Sequence, residues 1–386
     1  MPWLQGTVAD AELVAALEQL VTAETPSNAL HLIHAGMRLA AEMVEATAGL
    51  VPEMIDVEGR PHLRVRGSDD GVLVLCHLDT VWPEGTSSRW PFSVNDGRAT
   101  GPGVFDMKAG IVQALFALRG LACAPAVTLL ITSDEEIGSP TSRSLIEEEA
   151  RRARAVLVLE PSLGGRLKVA RKGISLYHLT FTGRAAHAGL DPERGVNALL
   201  ELAAHLPVIV ALGAAAQGTT VTPTLARAGT TINTVPAAAE VDIDVRAWTV
   251  DEQRRVDQAM HRLSPISAGA GLDVAGGVNR PPLEDRRSLA LVQLAEDCSI
   301  ATGGVPLGTS RVGGASDGNF TGALGVPTLD GLGAVGDGAH AEGEYVEVAT
   351  MPGRVALLRA LLERIVAGAH VGGLDDEVAT AREDPS

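Results

Sequence analysis

Two histidines and several carboxylates stand just beyond the ends of apolar, strand-like runs. His77 and Asp79 follow the run at 72–76, Glu135 and Glu136 follow 127–132, and Glu160 closes 155–159. Asp106 ends the glycine-rich stretch GPGVFD and opens a helical pattern, and His340 lies in a glycine-rich loop after 326–329. Imidazoles and hard carboxylate oxygens are the donors a pair of divalent metal ions takes, with one carboxylate bridging and an unligated one beside the bridging water as base. The set here supplies two histidines, three carboxylates for ligation and a spare glutamate. Asp79, two residues after a candidate metal histidine, is placed to hold that imidazole's tautomer. Each residue alone has a plainer reading. Asp106 suits a helix N-cap, the Asp-Glu-Glu run a solvated turn, Glu160-Pro161 a strand end, and a single histidine a structural role. None of these readings predicts that every candidate falls at the same edge of one sheet.

That shared edge requires a particular scaffold. Strand-like runs at 62–66, 72–76, 127–132, 155–159 and 326–329 alternate with helical patterns at 11–23, 30–48, 107–119, 142–152, 288–302 and 349–366. Such alternation predicts an α/β fold with a mixed, largely parallel sheet sandwiched by helices, whose ligands bind at the carboxyl ends of the strands. Residues 81–103, rich in Pro, Gly and Trp, read as a long loop. Between 172 and 282 the pattern changes: 174–182 and 240–247 alternate apolar and polar residues, 219–229 and 272–279 supply two more strands, and 196–210 and 251–263 are helical. This is a small α+β insertion that divides the chain into a catalytic domain of 1–171 and 283–386 and an inserted domain of 172–282. The acidic tail from Ala367 onward is expected to be poorly ordered.

Composition narrows the partners. A net charge of −17 and 3% aromatics leave neither the basic surface nor the stacking platforms that nucleic acids need. The apolar runs fall short of the roughly 20 residues that span a bilayer, and the amino terminus, MPWLQGTVADAELVAAL, lacks the layout of a signal peptide. Cys76, Cys123 and Cys298 are too scattered for a disulfide framework. A cytoplasmic protein acting on a small molecule, without membrane or nucleic acid, is the expectation.

In order along the chain, HLDTV at 77–81, GPGVFDMKAG at 101–110, SDEEIGS at 133–139, LEPS at 159–162, GRAAHAG at 183–189, NTVP at 233–236, GGASDGN at 313–319 and GDGAHAEGEYV at 336–346 resemble the dinuclear zinc metallopeptidases. That family includes bacterial glutamate carboxypeptidase of the carboxypeptidase G type, aminoacylase, acetylornithine deacetylase and succinyl-diaminopimelate desuccinylase. The resemblance implies a zinc exopeptidase-like fold with a ferredoxin-like lid, a homodimer formed through that lid, and two zinc ions per subunit, a carboxylate-rich site also accepting cobalt or manganese. It assigns His77 and Glu160 to one metal, Glu136 and His340 to the other, and Asp106 to both. Glu135 becomes the general base and Asp79 the residue that orients His77. His187, from the partner's lid, polarises the scissile carbonyl, and Asn233 contacts the same oxygen or the substrate carboxylate. Arg280 in VNRPPLE grips a free carboxylate next to the scissile amide, with further donors from the backbone and hydroxyl of Ser316; the plainer reading of Arg280 is a hinge arginine paired with Glu284 or Asp285.

The expected activity is that of a metal-dependent hydrolase cleaving an amide bond adjacent to a free carboxylate, as a glutamate carboxypeptidase-like exopeptidase or as an N-acyl-amino-acid amidohydrolase. Two motifs point elsewhere. GASDG at 314–318 matches a nucleophile elbow, which makes a serine hydrolase centred on Ser316 the rival, but no strong strand precedes it. GLGAVG at 331–336 matches a dinucleotide fingerprint yet opens into no helix. A silent binding protein is the other rival, and the intact set of ligands and base argues against it.

Overall fold

The computed structural model describes residues 8–372. The seven residues before them and the acidic tail beyond 372 lie outside the described residues. The chain divides into two compact units: one holds residues up to Ala170, 284–312 and 316 onward, the other Arg171–Leu283 with Gly313–Ala315.

The first unit is a mixed α/β fold. Its six-stranded sheet runs, edge to edge, Glu53–Val57, Arg60–Val65, Val127–Thr132, Gly71–His77, Ala153–Val158 and Thr328–Leu329. The three pairings on the His77 side are parallel, and the outer hairpin is antiparallel. The VLVLC run explains why Gly71–His77 sits inside the sheet. Val72, Val74 and Cys76 enter one apolar cluster while Leu73 and Leu75 enter another, with Leu145, Ile146, Ala150 and Phe320. A strand that buries both faces has no polar alternation to show. Because Gly71–His77, Val127–Thr132 and Ala153–Val158 run the same way, the turns that follow them emerge together, and those turns carry His77, Glu135–Glu136 and Glu160.

The stretch 81–103, expected as loop, contains a helical turn, Thr86–Arg89, and a hairpin, Ser93–Asn95 with Arg98–Thr100. The hairpin turns at Asp96-Gly97, both at positive φ, and its three-residue strands are too short to show periodicity. It joins Tyr345–Glu347 and Gly336–Asp337 in a small antiparallel sheet. Thr100 pairs with Tyr345, so the chain leaving Thr100 for Asp106 and the chain arriving from His340 meet at one end of that sheet.

In the second unit four antiparallel strands lie in the order Thr220–Ala228, Ala238–Ala247, Gly173–Thr182, Gly271–Arg280. Helices Ala198–Val210 and Val250–Met260 complete a βαββαβ sequence. Tyr177, Leu179, Phe181, Val241, Ile243 and Val245 alternate onto the face that these helices cover, against Leu202, Ile209, Val256 and Met260. Among the described residues, no helix is long and apolar enough to cross a membrane.

At Gly336 an added Cβ would collide with the Tyr345 carbonyl oxygen and approach the Phe105 ring at 3.0 Å. Gly336→Ala is therefore expected to destabilise the first unit by about 1–3 kcal/mol, the usual scale of overpacking. Thermal unfolding checks this, and an unchanged melting temperature would contradict the close packing of this hairpin.

Candidate metal centre

His77 ends its strand with the side chain buried. Its Nδ1 lies 3.0 Å from the Asp79 carbonyl oxygen and 3.6 Å from Asp79 Oδ1. Nδ1–H therefore donates to the backbone first, and the carboxylate of Asp79 contributes charge from slightly farther away. Nε2 faces the other way, 3.3 Å from Asp106 Oδ1 and 3.3 Å from Glu160 Oε1. His340 sits at positive φ in the turn between Gly336–Asp337 and Tyr345–Glu347. Its Nε2 is 3.4 Å from Asp106 Oδ2 and 3.2 Å from Glu136 Oε2. Each oxygen of Asp106 thus points at a different imidazole, which is the disposition of a bridging carboxylate. Asp106 is delivered by a tight turn after Gly103, whose φ of 72° favours glycine and where a Cβ would press on Thr80 Cγ2 at 2.5 Å.

Glu135 and Glu136 lie in a 3-10 turn after the strand Val127–Thr132. The N–H of Glu135 donates to Asp79 Oδ1 at 3.1 Å and that of Glu136 to Asp79 Oδ2 at 3.2 Å. The turn is braced behind by buried Asp134, which accepts bonds from the amides and hydroxyls of Thr141 and Ser142. Glu135 is buried, and its charge adds to those that raise His77.

Crowded charge perturbs His77, His340, Asp106 and Glu136. Asp106 and then Glu136 hold the His340 imidazolium up to about 10. For His77, burial opposes the charge, yet Asp106, Asp79 and Glu160 outweigh it and raise the pKa well above the ordinary value. Burial also opposes ionisation of Asp106, but His340 and His77 hold its carboxyl well below the usual range. Glu136 is pushed up, by burial first and by Asp106 next, with His340 working against them. Asp106 Oδ1 and Glu136 Oε1 are buried without a hydrogen bond of good geometry, and His77, Asp106 and Glu136 offer ligand atoms within 4.8 Å of one another. Imidazole nitrogens and carboxylate oxygens this close, with acceptors left over, fit a divalent cation.

The remaining candidates lie elsewhere. In the second unit His187 bridges to Thr234, and the Ala188 N–H donates to the Asn233 carbonyl at 2.9 Å, so the GRAAHAG and NTVP segments meet. His187 Nδ1 accepts from the amides of Gly189 and Leu190, both at 3.1 Å. This leaves the proton of the neutral ring on Nε2. Arg280 is buried at the end of Gly271–Arg280, and its carbonyl accepts from Gln253 Nε2 at 2.9 Å. Ser316 belongs to the first unit. Its hydroxyl is fully buried, donates to Asp330 Oδ2 at 2.6 Å and accepts from the Gly318 N–H. The proton that a nucleophile would pass to His340 goes to Asp330, and His340 faces Asp106 and Glu136 instead. Two residues at the site that sequence reasoning passed over are Ser27, whose hydroxyl donates to Asp79 Oδ2 at 2.8 Å, and Arg60, which reaches the carbonyls of Ser27 and Ser133. A serine in ETPSN and an arginine after a Glu-Gly turn carry no motif.

Residues 73–364 match the family described as Peptidase family M20/M25/M40. The chain is 31% identical over 379 residues to carboxypeptidase G2 of Pseudomonas sp. (strain RS-16), covering 92% of this chain and 90% of that one. It is 30% identical to the succinyl-diaminopimelate desuccinylase of Halorhodospira halophila, over 86% of this chain and 93% of that one. The fold is similar to that of the M20 family metallo-carboxypeptidase Sso-CP2 from Sulfolobus solfataricus, with a TM-score of 0.73 at 17% identity over 91% and 98% of the two chains.

Because His340 holds its proton up to about 10 and His77 is raised well above its ordinary value, and an imidazole must lose a proton to become a ligand, metal binding near pH 7.5 should release protons. Calorimetric titration of the metal-free protein with zinc, in buffers of different ionisation enthalpy, counts those protons. Heats independent of the buffer would show that the two histidines are not the groups displaced.

Proposed function

The chain belongs to peptidase family M20/M25/M40 and hydrolyses peptide or amide bonds; on that premise we propose that it is a dinuclear zinc carboxypeptidase of the glutamate carboxypeptidase kind, cleaving an amide next to a free carboxylate. The observation that carries this reading is Asp106, with one oxygen toward His77 and the other toward His340, flanked by Glu160 and Glu136. His77 and Glu160 would hold one ion, His340 and Glu136 the second, and Asp106 both. Bound divalent metal supplies Lewis acidity toward the scissile carbonyl and toward water.

Glu135 takes a proton from the attacking water as the new C–O bond forms at the carbonyl carbon. It then returns that proton to the amide nitrogen as the C–N bond breaks, leaving a carboxylate and an amine. Asp79 keeps the proton of His77 on Nδ1 and holds the Glu135 amide. His187 donates its Nε2 proton to the developing oxyanion, a role supported by the two amides that occupy Nδ1; Asn233, joined to the same segment, would contact the same oxygen or the substrate carboxylate. The planar guanidinium of Arg280 suits a bidentate grip on the substrate carboxylate. An N-acyl-amino-acid amidohydrolase is the second reading, favoured by the similarity to a desuccinylase.

Residues 172–282 form, in this reading, a ferredoxin-like lid through which two subunits pair, His187 of each lid serving the other subunit. The βαββαβ order with strands 4-1-3-2 supports the first part. The second rests on the outer face of helix Ala198–Val210, where Leu199, Leu200, Ala203, Ala204, Val208 and Val210 are all exposed. An uninterrupted apolar helix face beside a sheet-edge strand, Thr220–Ala228, is the surface of an association site.

The zinc-loaded protein should hydrolyse an N-acyl glutamate and act poorly on its α-amide, and Arg280→Ala should lose most of that preference while retaining metal. Equal rates on acid and amide with the wild type would refute carboxylate recognition. Glu135→Gln should keep two metals by elemental analysis yet lose on the order of 10²–10⁴ in kcat. If it is Glu135→Gln that loses metal and Glu136→Gln that keeps it, the two roles are exchanged.

The protein should sediment as a dimer, and Leu200→Asp combined with Val208→Asp should give a monomer with an intact fold. A wild type that sediments as a monomer at micromolar concentration would remove the helix face as an interface.

A further inference from the structure

Three separate segments converge on the carboxylate of Asp79, and two residues outside every recognised motif hold them together. The guanidinium of Arg60 forks: Nη1 donates to the Ser133 carbonyl at 2.6 Å and Nη2 to the Ser27 carbonyl at 2.8 Å. Ser133 immediately precedes the Asp134-Glu135-Glu136 turn. The Ser27 hydroxyl donates to Asp79 Oδ2 at 2.8 Å, and its amide donates to the Thr80 carbonyl at 3.2 Å. The two Asp79 oxygens in turn accept the amides of Glu135 and Glu136. Ser27, Asp79, Ser133 and Glu135 are buried, and Arg60 is 9% exposed. Arg60 is presented by the Glu58-Gly59 turn, both residues at positive φ, at the start of the strand Arg60–Val65.

We propose that Ser27 and Arg60 are positioning residues for the hydrolytic reaction, fixing the Glu135–Glu136 turn so that one carboxylate faces the water and the other the metal; this rests on the roles assigned above to Glu135 and Glu136. The two amide bonds tie the Asp79 carboxylate to the Glu135–Glu136 turn. The third bond, from Ser27, ties it to a further segment, and Arg60 stops Ser27 and Ser133 from separating. The fork is specific to arginine, since an ammonium is a point donor that does not match two carbonyls held apart. A misplacement of about 1 Å at a reacting group costs up to about 10²-fold in rate, so a residue that touches no substrate gains leverage through geometry.

The test uses the zinc-loaded full chain. Ser27→Ala should lower kcat about 10- to 100-fold with KM within about twofold of wild type, and should weaken zinc binding about tenfold in competition with a fluorescent chelator. Ser27→Thr, which keeps the hydroxyl, should restore both. Arg60→Lys should move both in the same direction as Ser27→Ala, which keeps the idea testable if removing the whole side chain prevents folding. In a Glu135→Gln background, Ser27→Ala should cost less than about twofold further in kcat, because its effect passes through Glu135. Wild-type zinc affinity in Ser27→Ala, or the same fold-loss in both backgrounds, overturns the proposal. Full activity of Glu135→Gln alone would instead overturn the base assignment, and the zinc affinity of Ser27→Ala would still decide whether the clamp holds Glu136.

Discussion

Asp79, Asp106, Glu135, Glu136 and Glu160 crowd the carboxyl end of one sheet, and that accumulation of buried negative charge is the constraint on which the rest of the first unit depends. Carboxylates taken out of water this close together repel one another strongly, and ionisation survives only where cations or directed hydrogen bonds answer it. His77 and His340 answer it by holding protons far above their ordinary pKa. Two divalent ions would answer it better, each carrying twice the charge of an imidazolium and taking several oxygens at once. The cluster therefore suits divalent metal for the same reason that it is costly: Asp106 and Glu136 each keep a buried oxygen without a hydrogen bond.

The answer given to Asp79 differs in kind. Its charge is met by the nearby His77 ring, then by the Ser27 hydroxyl and two backbone amides, which together overcome burial and hold its pKa down. A carboxylate satisfied by fixed donors is not available for ligation but transmits position. The same economy recurs behind it at Asp134, whose four partners lock the start of helix Arg143–Arg152 to the turn carrying Glu135. Loops at a sheet edge have no ladder to stiffen them, so here the stiffness comes from buried carboxylates that accept main-chain amides and hydroxyls together.

Much of this was legible because metal ligands have chemical identities and the strands before them have patterns. The runs VLVLC and AVLVL are apolar throughout and VTLLIT is nearly so, as suits strands buried on both faces, and the parallel sheet follows from the helices between them. Alternation along Gly173–Thr182 and Ala238–Ala247 likewise marks a sheet covered on one face. What stayed hidden was short. The strands Ser93–Asn95 and Arg98–Thr100 have three residues each, and Gly336–Asp337 has two. None can display a period, yet together they decide that His340 arrives opposite Asp106.

Ser316 and Arg60 show the two directions in which motif reading errs. GASDG has the spacing of a nucleophile elbow, but a hydroxyl's chemistry is set by what receives its proton, and Asp330 receives this one inside the core. Spacing along the chain carries no information about that partner, which lies 14 residues away. Arg60 errs the other way. Its acceptors are the carbonyls of Ser27 and Ser133, 33 and 73 residues distant, and every residue in the chain has a carbonyl. A side chain that recognises backbone leaves no complementary residue type to search for, so its role is recoverable only once the fold has brought the two loops within reach of one guanidinium. Residues that act on a site through main-chain atoms are for this reason the ones that structure adds to a sequence reading, however complete its set of ligands.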